Sequence, residues 1–527
     1  MSRNSYIKGA GILVVGGLMS RFIGLFFKAF ITKILGSYAM GLYYNTFFIL
    51  NFLLSFIISA VPLTLSKMIA EKRALGDYKG LNKIMIIVSI MLTMIGLLFT
   101  YIIIFQGKNI ILIAGWDKNT YYPLMGLCFA PLLIIYVCIM RGYFQGINDM
   151  KPTAVSQIAE SLSRLVIGVP MCYYFAHRYG QNIGAGGATF GTTISEACGL
   201  IVIFGFYTRY VKKADKPLYA ETGKADSTLA IIKRFYSISI PVSITYIMLS
   251  LHGIVNSFTY APRLKVAGIG LEEATKMFGD YSNTNTLVSV PMTISMAVSV
   301  ALIPAIAESY VKRDIQSIRR KTASALRVIF IVGFPCIVGL SMFSDLLFRL
   351  IFNNSPYGGA ILRYSSYSIL FIMLIGTMQS ILQGMDIFKY IIRNIAIGVL
   401  IKYLLNYILI AIPALNINGM IISNFISFGV IALLHYRVLK AQTGFRIKIF
   451  DTIIKPLFAS GVMGVFLALF SNLLLTYFND VISIFLIIIT AMVFYFGILI
   501  VTNTIKEEDL DMLTIGKKFK RYYNKYK

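Results

Sequence analysis

The 527-residue chain has little of what chemistry at a soluble active site needs. It carries three histidines and five cysteines. His177, His252 and His435 stand far apart in sequence, and no cluster of metal-ligand spacing forms around them, so no metal is expected. Cys128, Cys138, Cys172, Cys198 and Cys336 show no disulfide framework and read as small apolar fillers. No G-x-x-x-x-G-K-[ST] loop is present. The longest polar interval, about 208–234, is too short for a nucleotide-binding domain, so ATP-driven work by this chain alone is disfavoured and no cofactor is expected. Acids are scarce as well: 22 Asp and Glu stand against 49 Lys and Arg, a net charge of +27.

Apolar sequence is what the chain has in abundance. Hydrophobic residues make up 57% of it and the mean hydropathy is +0.76, both far above a soluble globular domain. Runs of membrane-spanning length recur about fourteen times, at approximately 9–35, 39–63, 84–106, 120–140, 153–177, 184–207, 235–258, 278–307, 328–348, 359–382, 391–411, 417–436, 454–477 and 480–503. A helical crossing needs roughly 20 apolar residues. The runs are continuous, where a transmembrane barrel would alternate. The expected fold class is an all-α polytopic membrane protein with about 14 transmembrane helices. The first run follows Arg3 and Lys8 but is too long for a signal peptide and lacks a small-x-small cleavage site, so it reads as an uncleaved helix.

With the N-terminus in the cytoplasm, 35 Lys and Arg fall in the even-side gaps and the two tails, and 7 in the opposite gaps. Basic loops stay on the inner side, so this bias puts both termini in the cytoplasm. The positive charge then meets membrane lipids and requires no nucleic acid. The basic, tyrosine-laced tail 517–527 reads as an interfacial anchor. Two motifs recur at a similar offset: Pro62 returns as Pro304, 242 residues on, and Gln145–Gly146 as Gln383–Gly384, 238 residues on. They suggest two six-helix lobes in parallel pseudo-repeat, an N-lobe over 1–216 and a C-lobe over 217–450. Residues 451–527 then hold two appended C-terminal helices and the tail. In such repeats the substrate path runs between the lobes.

A charge at bilayer depth costs at least ~2.5–3.5 kcal/mol on insertion scales, so each one calls for a reason. Arg21 and Lys28 lie seven residues apart, about two turns, and project from one face of the first helix, with Gly17 and Gly24 near that face. Glu160 and Arg164 form an i,i+4 pair spaced for a salt bridge. Glu196 has no partner close in sequence; pairing with Arg21 or Arg164 and service as a proton or cation site both stay open. Asp280 opens span eight with Asn283 and Asn285. Asn45 and Asn51 lie in span two, Lys402 and Asn406 in span eleven, and Arg363 near the outer end of span ten. Cations outnumber the locally unpaired carboxylates Glu196 and Asp280. That balance suits an anionic substrate, phosphate above all, which arginine binds bidentately. Arg21, Lys28, Gly24, Asn51 and Lys402 are therefore candidate substrate-binding residues, and Glu196, Glu160, Arg164 and Asp280 are candidates for ion coupling or gating. No catalytic residue and no enzymatic activity are expected: the outer-side acidic pair Glu272–Glu273 has no histidine near it.

Four strings carry a resemblance: SRFIGLFFKAFITKILG (20–36), GLYYNTFFILNFLLSFIISAVPLTLSKMIAEK (41–72), RGYFQGINDMKPTAVSQIAESLSRL (141–165) and VPMTISMAVSVALIPAIAES (290–309). They resemble the stage V sporulation protein B and MurJ branch of the MOP (multidrug/oligosaccharidyl-lipid/polysaccharide) exporter superfamily, over most of the first twelve spans. The resemblance implies two six-helix lobes plus two C-terminal helices. It also implies flipping of a lipid-linked oligosaccharide pyrophosphate, notably lipid II, from the inner to the outer leaflet of a bacterial plasma membrane, with cell-wall synthesis proteins as candidate partners. The family's first-helix S-R-x-x-G stands here as Ser20, Arg21 and Gly24. Lys28 matches a second basic residue approximately, with Phe27 where the best-known MurJ members have arginine. The arginines those members carry in their second and eighth helices are absent here, the eighth reading YSNTNTLVSVP. This departure favours the sporulation-type branch. A MATE-like drug/cation antiporter of the same superfamily is the alternative, and it requires an acidic cavity.

Orientation is testable with reporter fusions. Alkaline phosphatase joined after Lys118 is expected to be active, and joined after Thr504 to be silent. The opposite pattern would overturn the topology.

Overall fold

The structure, a computed structural model, describes residues 3–213, 226–352 and 354–504. Part of the polar interval and the basic tail lie outside the described residues. Every regular element among the described residues is helical: α1 (Arg3–Ala74), α2 (Tyr78–Ala114), α3 (Tyr121–Gly126), α4 (Ala130–Gly146), α5 (Lys151–Ser163), α6 (Val169–Tyr179), α7 (Gln181–Lys213), α8 (Thr228–Val266), α9 (Leu271–Val311), α10 (Ile315–Met342), α11 (Ser344–Ile351), α12 (Gly358–Ser366), α13 (Ile369–Gly384), α14 (Phe388–Leu409), α15 (Ile417–Thr443), α16 (Lys455–Tyr477) and α17 (Asp480–Val501).

Eleven helical segments among the described residues are long and apolar enough to cross a membrane, or twelve if the pair α12–α13, bent by 45°, counts as one span. The expected fourteen is not reached by this measure, and the shortfall lies at two places. Val15–Ala74 counts once, although 60 residues of helix extend about 90 Å, enough for two crossings. Gly36, at φ 71° and ψ 172°, breaks that helix between the first two expected spans; a side chain would resist this left-handed conformation. The other place is Lys151–Tyr179, where α5, a π turn at Arg164–Gly168 and α6 follow one another. Its charges, Glu160, Arg164 and Arg178 among them, dilute the apolar signal.

The chain forms two compact units, Met1–Gly279 and Asp280–Lys527, divided inside α9. This is a different division from the expected lobe boundary at 216/217, since α8 packs within the first unit. In the first unit, Leu54, Ile57 and Leu65 of α1 pack with Val88 of α2, Ile135 of α4 and Phe235 of α8 in one core. Several polar groups buried nearby are matched. Asn45 Nδ2 donates to the Tyr260 hydroxyl at 2.8 Å, and Asn45 Oδ1 accepts from Ser257 Oγ at 2.9 Å. Trp116 Nε1 donates to the Ser257 carbonyl at 2.6 Å, and the Tyr260 ring stacks on Phe278 at 4.1 Å. Burying such groups without partners would cost far more than these bonds return.

In the second unit, Ile331 of α10, Met463 and Leu467 of α16 and Leu499 of α17 share a core, and Tyr495 donates its hydroxyl proton to the Ile331 carbonyl at 2.7 Å. α14 and α15 pack along a seam where Ser427 Oγ donates to the Gly398 carbonyl at 2.7 Å.

Two expectations follow from this packing. A Cβ added at Gly191 of α7 would sit 2.4 Å from Gly168 Cα, backbone that cannot swing away, whereas one added at Gly17 would meet nothing within 4 Å. Gly191→Val is expected to cost about 1–3 kcal/mol, seen as a lower Tm in detergent, and Gly17→Ala to cost nothing. Asp77 caps α2 by accepting from Gly80 N at 2.7 Å and bonds Lys72 Nζ at 2.8 Å. That lysine holds its carboxyl below the ordinary carboxylate value. A depressed carboxyl stabilises the fold above its unfolded-state value of about 3.9, and the contribution disappears as pH falls through the lower folded-state value. Thermal scans between neutral pH and pH 3 should therefore show a steeper acid loss for the native protein than for Asp77→Asn.

Candidate functional site

α1 presents two different faces to open space. Phe22, Phe26 and Phe30 form a stripe at i, i+4 and i+8, each exposed, with the first two rings 5.3 Å apart. Such a stripe suits acyl chains. Gly17, Arg21, Gly24 and Lys28 line another face, because seven residues return to nearly the same angle. A Cβ at Gly17 or Gly24 would touch nothing within 4 Å among the described residues. Arg21 is exposed there and Lys28 is half-buried. The Lys28 ammonium lies 5.3 Å from the centroid of the Tyr44 ring, within cation–π range. The flank beside this face is packed: a Cβ at Gly16 would fall 2.9 Å from Ala154 Cβ, and Phe27 is buried against Gly168.

The π turn at Arg164–Gly168 sits directly behind Phe27. Such turns often mark functional positions in helices. Here the turn starts at Arg164, the centre of a network of four charges. Arg164 Nη2 donates to Glu160 Oε1 at 2.8 Å and to Glu196 Oε1 at 3.0 Å. Its Nε reaches Ser195 Oγ at 3.3 Å. Arg141 of α4 donates from Nη2 to Glu160 Oε2 at 3.0 Å and from Nε to Ser156 Oγ at 3.4 Å. Two arginines thus neutralise two carboxylates, the arrangement that makes buried charge tolerable. Lys28 is within electrostatic reach of Arg164.

The structure therefore brings together Glu160, Arg164 and Glu196 of the residues singled out by sequence, with Lys28 in electrostatic reach of Arg164 and Arg21 about two turns from Lys28 on the same face of α1. The i,i+4 pair forms as its spacing indicated. Glu196, open between Arg21 and Arg164, bonds Arg164. Arg141 is the fourth member of the network, and it stands in the same 141–165 string as Glu160, 19 residues before it.

Asn51 is exposed farther along α1, past the Gly36 break. Lys402 and Asp280 belong to the second unit. Lys402 is 1% exposed, inside the α14–α15 seam, with its ammonium 5.8 Å from the Phe428 ring centroid. Asn394, Gly398 and Asn406 share its face, all buried. Asp280 is fully buried and accepts a hydrogen bond from Ser355 Oγ. Among the described residues no group of three His, Cys, Asp or Glu could hold a metal ion.

The family described as "Polysaccharide biosynthesis protein" matches residues 6–310, and the one described as "Lipid II flippase MurJ" matches residues 277–491. The chain is 27% identical over 455 residues to stage V sporulation protein B of Bacillus subtilis (strain 168), covering 85% of this chain and 86% of that protein. It is 23% identical over 478 residues to the lipid II flippase MurJ of the same organism, covering 87% of each. Its fold matches a solved structure of lipid II flippase MurJ in an inward closed conformation with a TM-score of 0.69 at 16% identity, covering 93% of this chain and 98% of that one. The chain is a multi-pass membrane protein that belongs to the polysaccharide biosynthesis protein family.

Proposed function

We propose that this protein is a flippase that carries a lipid-linked cell-wall precursor, an undecaprenyl-pyrophosphate saccharide of the lipid II type, across a bacterial plasma membrane by alternating access. The observation that carries the reading is the basic face of α1, with Arg21 exposed, open space at Gly17 and Gly24, and Lys28 in electrostatic reach of Arg164. A pyrophosphate is a compact anion with a ring of acceptor oxygens, and a guanidinium meets two of them at once. Gly24 keeps the face flat, so a phosphate can approach the helix between Arg21 and Lys28. The saccharide stays with the hydrated headgroup while the polyprenyl tail remains in lipid. The N-lobe of residues 1–216 holds this face, and it works against the C-lobe of 217–450, with both termini cytoplasmic. The name of one relative, the lipid II flippase MurJ, supports the same substrate class. Charge favours export as well: moving one negative charge out of a cell at 100 mV, inside negative, releases ~2.3 kcal/mol.

The drug/cation antiporter reading has less support. It requires carboxylates available to a cation, and here Glu160 and Glu196 are each bonded to Arg164.

Arg21→Ala tests the proposal. Arg21 is exposed, so the variant should fold and insert normally. Outer-leaflet arrival of lipid II is expected to fall about tenfold or more, the loss of roughly 1.4 kcal/mol or more of charge-assisted bonding. Arg21→Lys should restore part of it. Native export by the alanine variant would remove Arg21 from the headgroup site.

A further inference from the structure

We propose that a cavity between α11 and the start of α17 binds a short, uncharged saccharide on the outer side of the membrane. Identifying that sugar with the headgroup of a translocated lipid rests on the flippase reading; the site itself is read from its own chemistry.

The cavity has a volume of about 400 Å³, in the range of small-molecule sites, and its lining belongs wholly to the second unit. α11 contributes Asp345 and Arg349, and α17 contributes Asp480 at its first position. The basic stretches 308–327 and 437–450 stand at the starts of α10 and α16, so both helices run outward and the cavity lies beyond their outer ends.

Charge is balanced there. Asp345 and Arg349 share a face of α11 at i,i+4. Arg349 Nη2 donates to Asp480 Oδ2 at 2.8 Å, and Arg363 Nη2 of α12 donates to Asp345 Oδ2 at 3.0 Å. Two acids are matched by two arginines. Pyrophosphate calls for unmatched cations and a cationic drug for unmatched carboxylates, so the cavity selects neither.

Each pair leaves hydrogen-bonding capacity over. Among the described residues, Oδ1 of Asp345 and of Asp480 accepts no hydrogen bond, and Arg349 keeps Nε and Nη1. The amide of exposed Asn354 makes no bond among them either. Both ion pairs are exposed on both partners, and pairs of this kind add little to stability, so a ligand can share them at small cost. Gly359 fixes one acceptor in place: a Cβ there would fall 1.8 Å from Asp345 Oδ1, so the carboxylate rests directly on the α12 backbone. Leu346, Phe348 and Leu475 form the apolar part of the wall. Acceptors, donors and an apolar wall with no net charge match a pyranose ring, which has neighbouring hydroxyls that donate and accept and a C–H face that does neither. Such a sugar reaches the outer surface as the headgroup of a lipid just carried over, or as glycan already there.

Saturation-transfer NMR on the full chain in lipid nanodiscs reads binding of N,N′-diacetylchitobiose, a soluble uncharged disaccharide. The native protein is expected to bind it with a Kd of about 1 mM, as suits an open polar site. Asn354→Ala should weaken binding about tenfold; the residue is exposed and makes no bond among the described residues, so this variant should fold. Leu346→Trp, which fills the cavity and leaves its charges in place, should abolish binding. Undecaprenyl-pyrophosphoryl-chitobiose then separates the sources. Displacement of the soluble sugar by this lipid, and not by undecaprenyl pyrophosphate, assigns the site to the headgroup. No displacement by either overturns the headgroup assignment and gives the site to free glycan. Displacement by undecaprenyl pyrophosphate would overturn the choice of an uncharged ligand. No binding by the native protein, or native binding by both variants, would overturn the saccharide site and leave the flippase reading, tested at Arg21, intact.

Discussion

One guanidinium holds the charged cluster of the first unit together. Arg164 bonds Glu160 and Glu196 from the same nitrogen, and without it two buried carboxylates would confront each other in a low-dielectric surround. Three helices have to converge for this to happen. α4 brings Arg141, α5 and its π turn bring Glu160 and Arg164, and α7 brings Glu196. The bare meeting of Gly168 with Gly191 is what lets the turn and α7 approach closely enough. Phe27 of α1 lies on the same glycine, so the network and the basic face of α1 are fixed to each other through one packed contact.

That coupling gives the first unit a division of labour. Phe22, Phe26 and Phe30 are exposed as a hydrocarbon stripe, while Arg21 is exposed and Gly17 and Gly24 have open space on another side of the same helix. A helix that is apolar on one face and basic on the next suits a boundary between lipid and a hydrated path. It matches a substrate with an oily tail and a charged head, and it is of little use to a small soluble metabolite.

The sequence made much of this readable, and the limits have physical causes. Continuous apolar runs show helices because a bilayer leaves few alternatives, and Glu160–Arg164 shows as a pair because i,i+4 neighbours must touch. Arg141 was harder, since its partner lies 19 residues away and only packing unites them. The polar fifth expected span is helical over Lys151–Tyr179 but fails a purely apolar test, because its charges pair inside the fold where hydropathy counts them as exposed. Lys402 shows the converse limit. In a membrane helix the lipid side and the packed side are both apolar, so a single sequence does not say which way a lysine turns. Coordinates put Lys402 in the α14–α15 seam, where Asn394, Gly398 and Asn406 recur at four-residue steps on its face. Part of the gap between the counted and the expected spans has a related reason: Gly36 bends α1 without ending it.

The central claim is that the Gly17–Lys28 face of α1 borders water and a phosphate, rather than acyl chains. Gly24→Cys in a cysteine-free background reports on this directly, since a side chain there has open space. Reaction with a charged, water-soluble thiol reagent, slowed by excess lipid-linked pyrophosphate, is the expected result. A thiol that ignores that reagent but reacts with a lipid-soluble maleimide would place this face in the hydrocarbon and contradict the claim.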